Sequence, residues 1–69
     1  MSNSVYKVID LVGASTISWE DASKTAIERA SKTLRDLRIA EVKKMDIKLE
    51  DGKPALFRVN LRLSFKFEN

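Results

Sequence analysis

Ala55-Leu56-Phe57-Arg58-Val59-Asn60-Leu61-Arg62-Leu63-Ser64-Phe65-Lys66-Phe67 alternates with a period of two. Ala55, Phe57, Val59, Leu61, Leu63, Phe65 and Phe67 form an apolar row. Leu56, Arg58, Asn60, Arg62, Ser64, Lys66 and then Glu68 form the other row, in which only Leu56 is apolar. Successive side chains of a strand point to opposite faces, so this stretch reads as a strand with one apolar and one polar face. At about 3.3 Å per residue it reaches roughly 43 Å, far beyond the usual length of about 5–6 residues. One helix is too short to cover such a row. Part of it, or the opposite sheet face, is therefore expected to meet another subunit.

Reading backward from this strand, Glu50-Asp51-Gly52-Lys53 supplies an Asp-Gly hairpin turn, with Pro54 placed just after it. Residues 39–50 are strand-like but change phase. Ala40 and Val42 are apolar on even positions, whereas Met45, Ile47 and Leu49 are apolar on odd ones. A strand that keeps one buried face changes parity only by inserting a residue, so a β-bulge or strong bend is expected near Lys43-Lys44. Further back, Trp19, Ala22, Ala26, Ile27, Ala30, Leu34 and Leu37 recur at steps of three and four, the mark of one buried helical stripe. Ser18 is the expected N-cap, Glu20 and Asp21 suit the positive end, and Arg35 and Arg38 suit the negative end. Asp21, three residues past the cap, completes an approximate capping box, and Ile17 stands where a hydrophobic staple forms. Residues 4–12, with Val5, Tyr6, Val8, Ile9 and Val12, read as a first strand ending in a turn at Gly13. The fold class is α+β: a β-α-β-β chain whose three-stranded antiparallel sheet wraps over one helix, a single domain spanning residues 1–69.

Composition narrows function. The chain has 69 residues, 13 Lys plus Arg, 10 Asp plus Glu, and neither Cys nor His. Zero Cys removes disulfides, thiol chemistry and the common zinc sites, and zero His removes the usual base near neutral pH. No serine has a His partner, and no paired carboxylates stand in an evident apolar pocket. The expectation is a protein that is not an enzyme. A core this small rarely supplies more than about 3–5 kcal/mol without disulfides or metals, which leaves oligomerisation as the remaining support. No basic segment followed by an apolar run marks a signal peptide, and no stretch approaches a membrane span, so a soluble cytoplasmic protein without membrane contact is expected.

The polar row is the informative surface. Arg58, Asn60, Arg62, Ser64 and Lys66 line the sheet face away from the helix, and Lys44, Asp46, Lys48 and Glu50 are placed to join them. Such a face is either solvated with cross-strand ion pairs or the lining of a cavity in an oligomer. Its positive charges are interleaved with acids, and the phenylalanines share the apolar row instead of the open face, so nucleic acid is not an expected partner. Asp46, Glu50 and Asp51 lack the spacing of a calcium loop. Trp19 falls on the apolar helical stripe and reads as a core residue.

Val5-Tyr6-Lys7-Val8-Ile9-Asp10-Leu11-Val12-Gly13-Ala14-Ser15, Glu28-Arg29-Ala30-Ser31-Lys32-Thr33-Leu34-Arg35, Ala40-Glu41-Val42, Asp51-Gly52 and Val59-Asn60-Leu61-Arg62-Leu63-Ser64-Phe65 together resemble the dodecins. The resemblance covers nearly the whole chain without a gap. It implies a β-α-β-β protomer in a hollow, roughly spherical homo-dodecamer of 23 symmetry that binds paired flavins, FMN or riboflavin, without turning over a substrate. In flavin-binding members a Trp opens the second strand before the Glu-Val pair, and a Gln in the third strand bonds the flavin ring. Here those positions fall on Ile39 and Arg58. Ile39, Arg58, Glu41 and Asn60 are the ligand-binding candidates that the resemblance implies. Ile offers no π face, which removes a stacking contribution of about 0.5–1.5 kcal/mol per aromatic pair. Arg58 only donates where Gln also accepts, and it suits a phosphate or carboxylate. For divergent members the resemblance also implies cation binding, calcium included, although no residue here marks a metal site. A purely structural shell is the remaining alternative.

Overall fold

The computed structural model describes residues 3–67, so Glu68 lies outside it. The elements run β1 (Tyr6–Ser15), α1 (Trp19–Ser31), β2 (Leu37–Glu50) and β3 (Lys53–Lys66). The sheet order is β1-β3-β2 and both pairings are antiparallel. This is the β-α-β-β arrangement expected from the alternation and the helical stripe. β3, the strand with the cleanest alternation, is central, pairing with β2 between Lys53 and Phe65 and with β1 between Phe57 and Lys66.

The helix starts where its capping chemistry requires. Ser18 is extended, with φ −167 and ψ 165, and its Oγ accepts from the Asp21 N–H at 2.9 Å. The reciprocal half of the capping box is rerouted. Asp21 accepts from Ser15 Oγ at 2.7 Å, and that buried oxygen accepts from the Ile17 N–H at 2.9 Å and the Ser18 N–H at 3.4 Å. One hydroxyl thus closes the β1–α1 connection and satisfies its orphan donors. The helix ends earlier than its apolar stripe. Lys32 N–H donates to Arg29 O and Thr33 N–H to Ala30 O, tightening the last turn, and Asp36 then turns the chain at φ 58. Leu34 therefore packs from the connection and Leu37 from the first position of β2. Arg29, instead of Arg35 or Arg38, is the basic residue of the last helical turn.

Ala22, Ala26 and Ala30 meet Val59, Leu61 and Leu63, and these six form the buried core. Small helical side chains let the helix lie close to the sheet, and Gly13 lets it lie closer still. Gly13 is inside β1, opposite Val59, and not in a turn as expected. A Cβ there would collide with the carbonyl oxygen of Ala22 and stand 3.0 Å from Ala26 Cβ.

The phase change in β2 is a bulge. Val42 stands opposite Leu61 and Lys44 opposite Asn60, leaving Lys43 as the extra residue. Ala40, Val42, Met45 and Ile47 accordingly share the helix side of the sheet, while Ile39, Glu41, Lys44 and Asp46 share the other. Asp51 (φ 53) and Gly52 (φ 73) make the hairpin turn, both left-handed as a two-residue Asp-Gly connection requires. The helix spans only about 20 Å at 1.5 Å per residue, whereas the fourteen-residue hairpin strands reach about 46 Å. The molecule is elongated, with extents of 55 × 20 × 14 Å. Much apolar surface stays open: Val42, Met45 and Leu49 are more than half exposed, and Phe67, expected in the buried row, is 44% exposed.

Candidate ligand-binding face

The even-numbered side chains of β3 line the sheet face opposite α1, because their odd neighbours Val59, Leu61 and Leu63 are buried against it. Strand pairing then decides which groups meet. β1 brings Asp10 beside Arg62 and Val12 beside Asn60; β2 brings Glu41 beside Arg62, Lys44 beside Asn60 and Asp46 beside Arg58. Two forked ion pairs result. Arg58 Nε and Nη2 donate to the two Asp46 carboxylate oxygens at 2.7 and 2.9 Å. Arg62 Nε and Nη2 donate to those of Asp10 at 3.0 and 3.3 Å. The planar guanidinium matches the carboxylate at two points, so each arginine ties β3 to one neighbouring strand.

These bonds set the protonation states. Hydrogen bonding from Arg58, reinforced by its charge and that of Lys44, lowers the Asp46 pKa against the opposing effect of desolvation. Arg62 does the same to Asp10, with help from Lys43. Both carboxylates are held below the ordinary range, the direction away from proton transfer near neutral pH.

Between the two clamps lies a shallow depression of about 170 Å³ lined by Val12, Lys44, Asp46, Arg58 and Asn60. Asn60 Oδ1 is buried there without a hydrogen-bond partner. Of the candidates from sequence, Arg58 and Asn60 line this depression. Ile39 and Glu41 share the face but stand further along it, opposite Ser64 and Arg62. Ile39 is six β3 positions from Arg58, about 20 Å at 3.3 Å per residue. One compact ligand seated in the depression beside Arg58 therefore does not reach Ile39 of the same copy. Lys44 and Asp46 belong to the site in their own right, and their signal was the phase change: a bulge before Lys44 turns both toward Arg58 and Asn60. Trp19 is half-buried on the other side of the sheet, edge-to-face with Phe57 at 5.4 Å and donating from Nε1 to Asp46 O at 3.1 Å. Among the described residues, no group of three or more His, Cys, Asp or Glu side chains is placed to hold a metal ion.

Comparison with known proteins agrees with this geometry. The family model for dodecin matches residues 5–68. The chain is 41% identical over 63 residues to the calcium dodecin of Mycobacterium tuberculosis, covering 91% of this chain and 89% of that protein. It is 38% identical over 64 residues to the dodecin of Thermus thermophilus, covering 93% of each. The structure of dodecin from Streptomyces coelicolor superposes with a TM-score of 0.92 at 40% identity, covering 100% of this chain and 99% of that one. With the strand order, the bulged hairpin and a family match along nearly its whole length, the chain belongs to the dodecin family.

Proposed function

We propose that the chain assembles into a hollow homo-dodecamer, a cytoplasmic, non-enzymatic shell that holds a small ligand against the open sheet face. The observation that carries this reading is the mismatch between core and surface. Six small or medium side chains are buried, while Val5, Val8, Val12, Ile39, Val42, Met45 and Leu49 are each more than half exposed. Apolar surface on that scale, around so slight a core, is the mark of a protomer that buries it against copies of itself.

Flavin is the ligand that the family suggests, and two features of this chain weaken it. Ile39 provides contact but no ring for an isoalloxazine to stack on. Arg58 is committed to Asp46 through both of its forked bonds, so its remaining N–H groups offer less to a flavin edge than a free amide. A fluorescence titration with riboflavin and FMN tests the reading. Quenching by the wild type is expected to be weak, and Ile39→Trp with Arg58→Gln is expected to tighten binding by at least about tenfold, the equivalent of ~1.4 kcal/mol. No gain in the double variant would sink the assignment of Ile39 and Arg58 to the ligand site.

A divalent cation is the second reading, favoured by the likeness to a relative named calcium dodecin. Asp10 and Asp46 are each engaged by an arginine within the copy, so a cation site would draw carboxylates from more than one copy. Native mass spectrometry of protein purified without added ligand reports subunit number, retained flavin and retained metal together. A metal-free, flavin-free dodecamer that takes up neither would leave only the structural shell.

A further inference from the structure

Asn60 stands in the interior of the central strand, where Asn is disfavoured, and its amide oxygen is buried with no hydrogen-bond partner. Val12 of β1 and Lys44 of β2 stand opposite it on either side, and the sheet ladders take up the backbone donors around it. Burying an acceptor unpaired is costly, so this oxygen calls for a donor brought into the depression. The side-chain donors already lining the depression are cationic. Arg58 spends Nε and one N–H of Nη2 on Asp46 and keeps its remaining N–H groups. Lys44 forms no ion pair among the described residues, which leaves its ammonium N–H groups available. Against these two cations stands the single carboxylate of Asp46, so the depression carries net positive charge.

Several cationic donors beside one buried acceptor match an anion that carries an O–H of its own. We propose that the depression binds inorganic phosphate as the hydrogen phosphate dianion, whose charged oxygens accept from Lys44 and Arg58 while its P–OH donates to Asn60 Oδ1. This rests on the reading of the open sheet face as the ligand-holding one and names the chemistry of a ligand there. A volume of about 170 Å³ equals the share of about five or six waters, room for one tetrahedral oxyanion with part of its water shell. The wall of the site is held from both faces of the sheet: Arg58 grips the Asp46 carboxylate, and Trp19 Nε1 donates to the Asp46 carbonyl. Sulfate has the shape and charge of the dianion but no O–H. A phosphate monoester loses its O–H at about pH 6. Above that pH, either one sets an oxygen lone pair against the Asn60 lone pair instead of donating to it.

The test is isothermal titration calorimetry of the full chain, prepared without phosphate, with inorganic phosphate, sulfate and methyl phosphate at one ionic strength. At about pH 8 all three are mainly dianions and only inorganic phosphate keeps an O–H, so the comparison isolates the bond to Asn60. Phosphate is expected to bind at least tenfold more tightly than either of the others. Asn60→Val removes the acceptor and is expected to bring phosphate down to the affinity of sulfate, with sulfate unchanged. Lys44→Gln is expected to weaken all three. Far-UV circular dichroism checks that each variant is folded. If Asn60→Val fails that check, Asn60→Thr replaces it, because a hydroxyl that donates as well as accepts no longer separates the anions. Equal affinity of the wild type for the three dianions overturns the proposal, as does a phosphate preference that survives the loss of Asn60. No phosphate binding by a protein that still takes up riboflavin or a divalent cation overturns the phosphate assignment alone. A chain that takes up none of these overturns the ligand-holding reading as well, so the two failures are distinct.

Discussion

Replacing Gly13 by Ala tests the contact that brings helix and sheet together. Gly13 is buried within β1 and has no positive φ to protect, so ordinary reasoning about the unfolded chain predicts a gain of about 0.4–1 kcal/mol from the substitution. The packing predicts the reverse. The new Cβ would overlap the carbonyl oxygen of Ala22 and lie 3.1 Å from its carbonyl carbon and 3.0 Å from Ala26 Cβ. The first two are helix backbone and have no rotamer to escape into. The helix must move outward, which loosens Ala22, Ala26 and Ala30 from Val59, Leu61 and Leu63 together. Overpacking of this kind costs about 1–3 kcal/mol. In a domain of this size that corresponds to a fall in Tm of about 4–8 °C per kcal/mol, roughly 4–24 °C in all. Thermal melts of wild type and Gly13→Ala at one fixed protein concentration make the comparison, since assembly makes Tm concentration-dependent. A Tm equal to or above that of wild type would refute the argument that close helix approach, and not turn formation, is why glycine stands here.

Other consequences are as direct. Deleting Lys43 removes the bulge residue and leaves Ala40, Val42, Met45 and Ile47 in strict alternation, so the deletion is expected to fold, whereas deleting Asp46 puts Ile47 out of phase and is expected to unfold the hairpin. Equal destabilisation in urea would refute the parity argument. The Asp10 and Asp46 pKa values are lowered in the fold, so their contribution is complete above the ordinary value of 3.8 and is lost as pH falls through the lower folded values. A variant with Asp10→Asn and Asp46→Asn should lack that part of the acid transition. Because both side chains are about half exposed, the difference should be small and shrink with salt; parallel pH profiles for the two proteins would contradict it. Trp19→Phe keeps a ring beside Phe57 but removes the donor to Asp46 O, and should cost about 0.5–1.5 kcal/mol in denaturant unfolding. Ser15→Ala should cost more than Ser18→Ala, because Ser15 Oγ joins three partners at the connection and Ser18 Oγ one.

Much of this architecture is visible in local patterns. The alternation of residues 55–67 marks a strand with two unlike faces, the phase change between Val42 and Met45 marks a bulge, Asp51-Gly52 marks the hairpin, and Ser18 marks the helix start. Each follows from a property of a few neighbouring residues: side-chain period, left-handed backbone, or an orphan N–H needing an oxygen. The placement of Arg58 and Asn60 on the open face follows from the same parity. Gly13 was misleading because a glycine that ends an apolar run looks the same whether it serves a turn or a close helix crossing. Leu34 and Leu37 were misleading because residues of a connection can extend an apolar stripe beyond the helix that begins it.

The candidate site was legible as a face but not as a set of contacts. That Arg58 would be held by Asp46, and Arg62 by Asp10 rather than by Glu41, depends on register between strands distant in sequence. That Ile39 would lie about 20 Å from Arg58 depends on the same register. The sequence by itself determined the order of elements, the two faces of the hairpin and the position of its bulge, because periodicity is read one strand at a time. Only the tertiary structure decided which charges pair, and how little of the sheet one short helix covers, because those follow from where distant segments come to rest against each other.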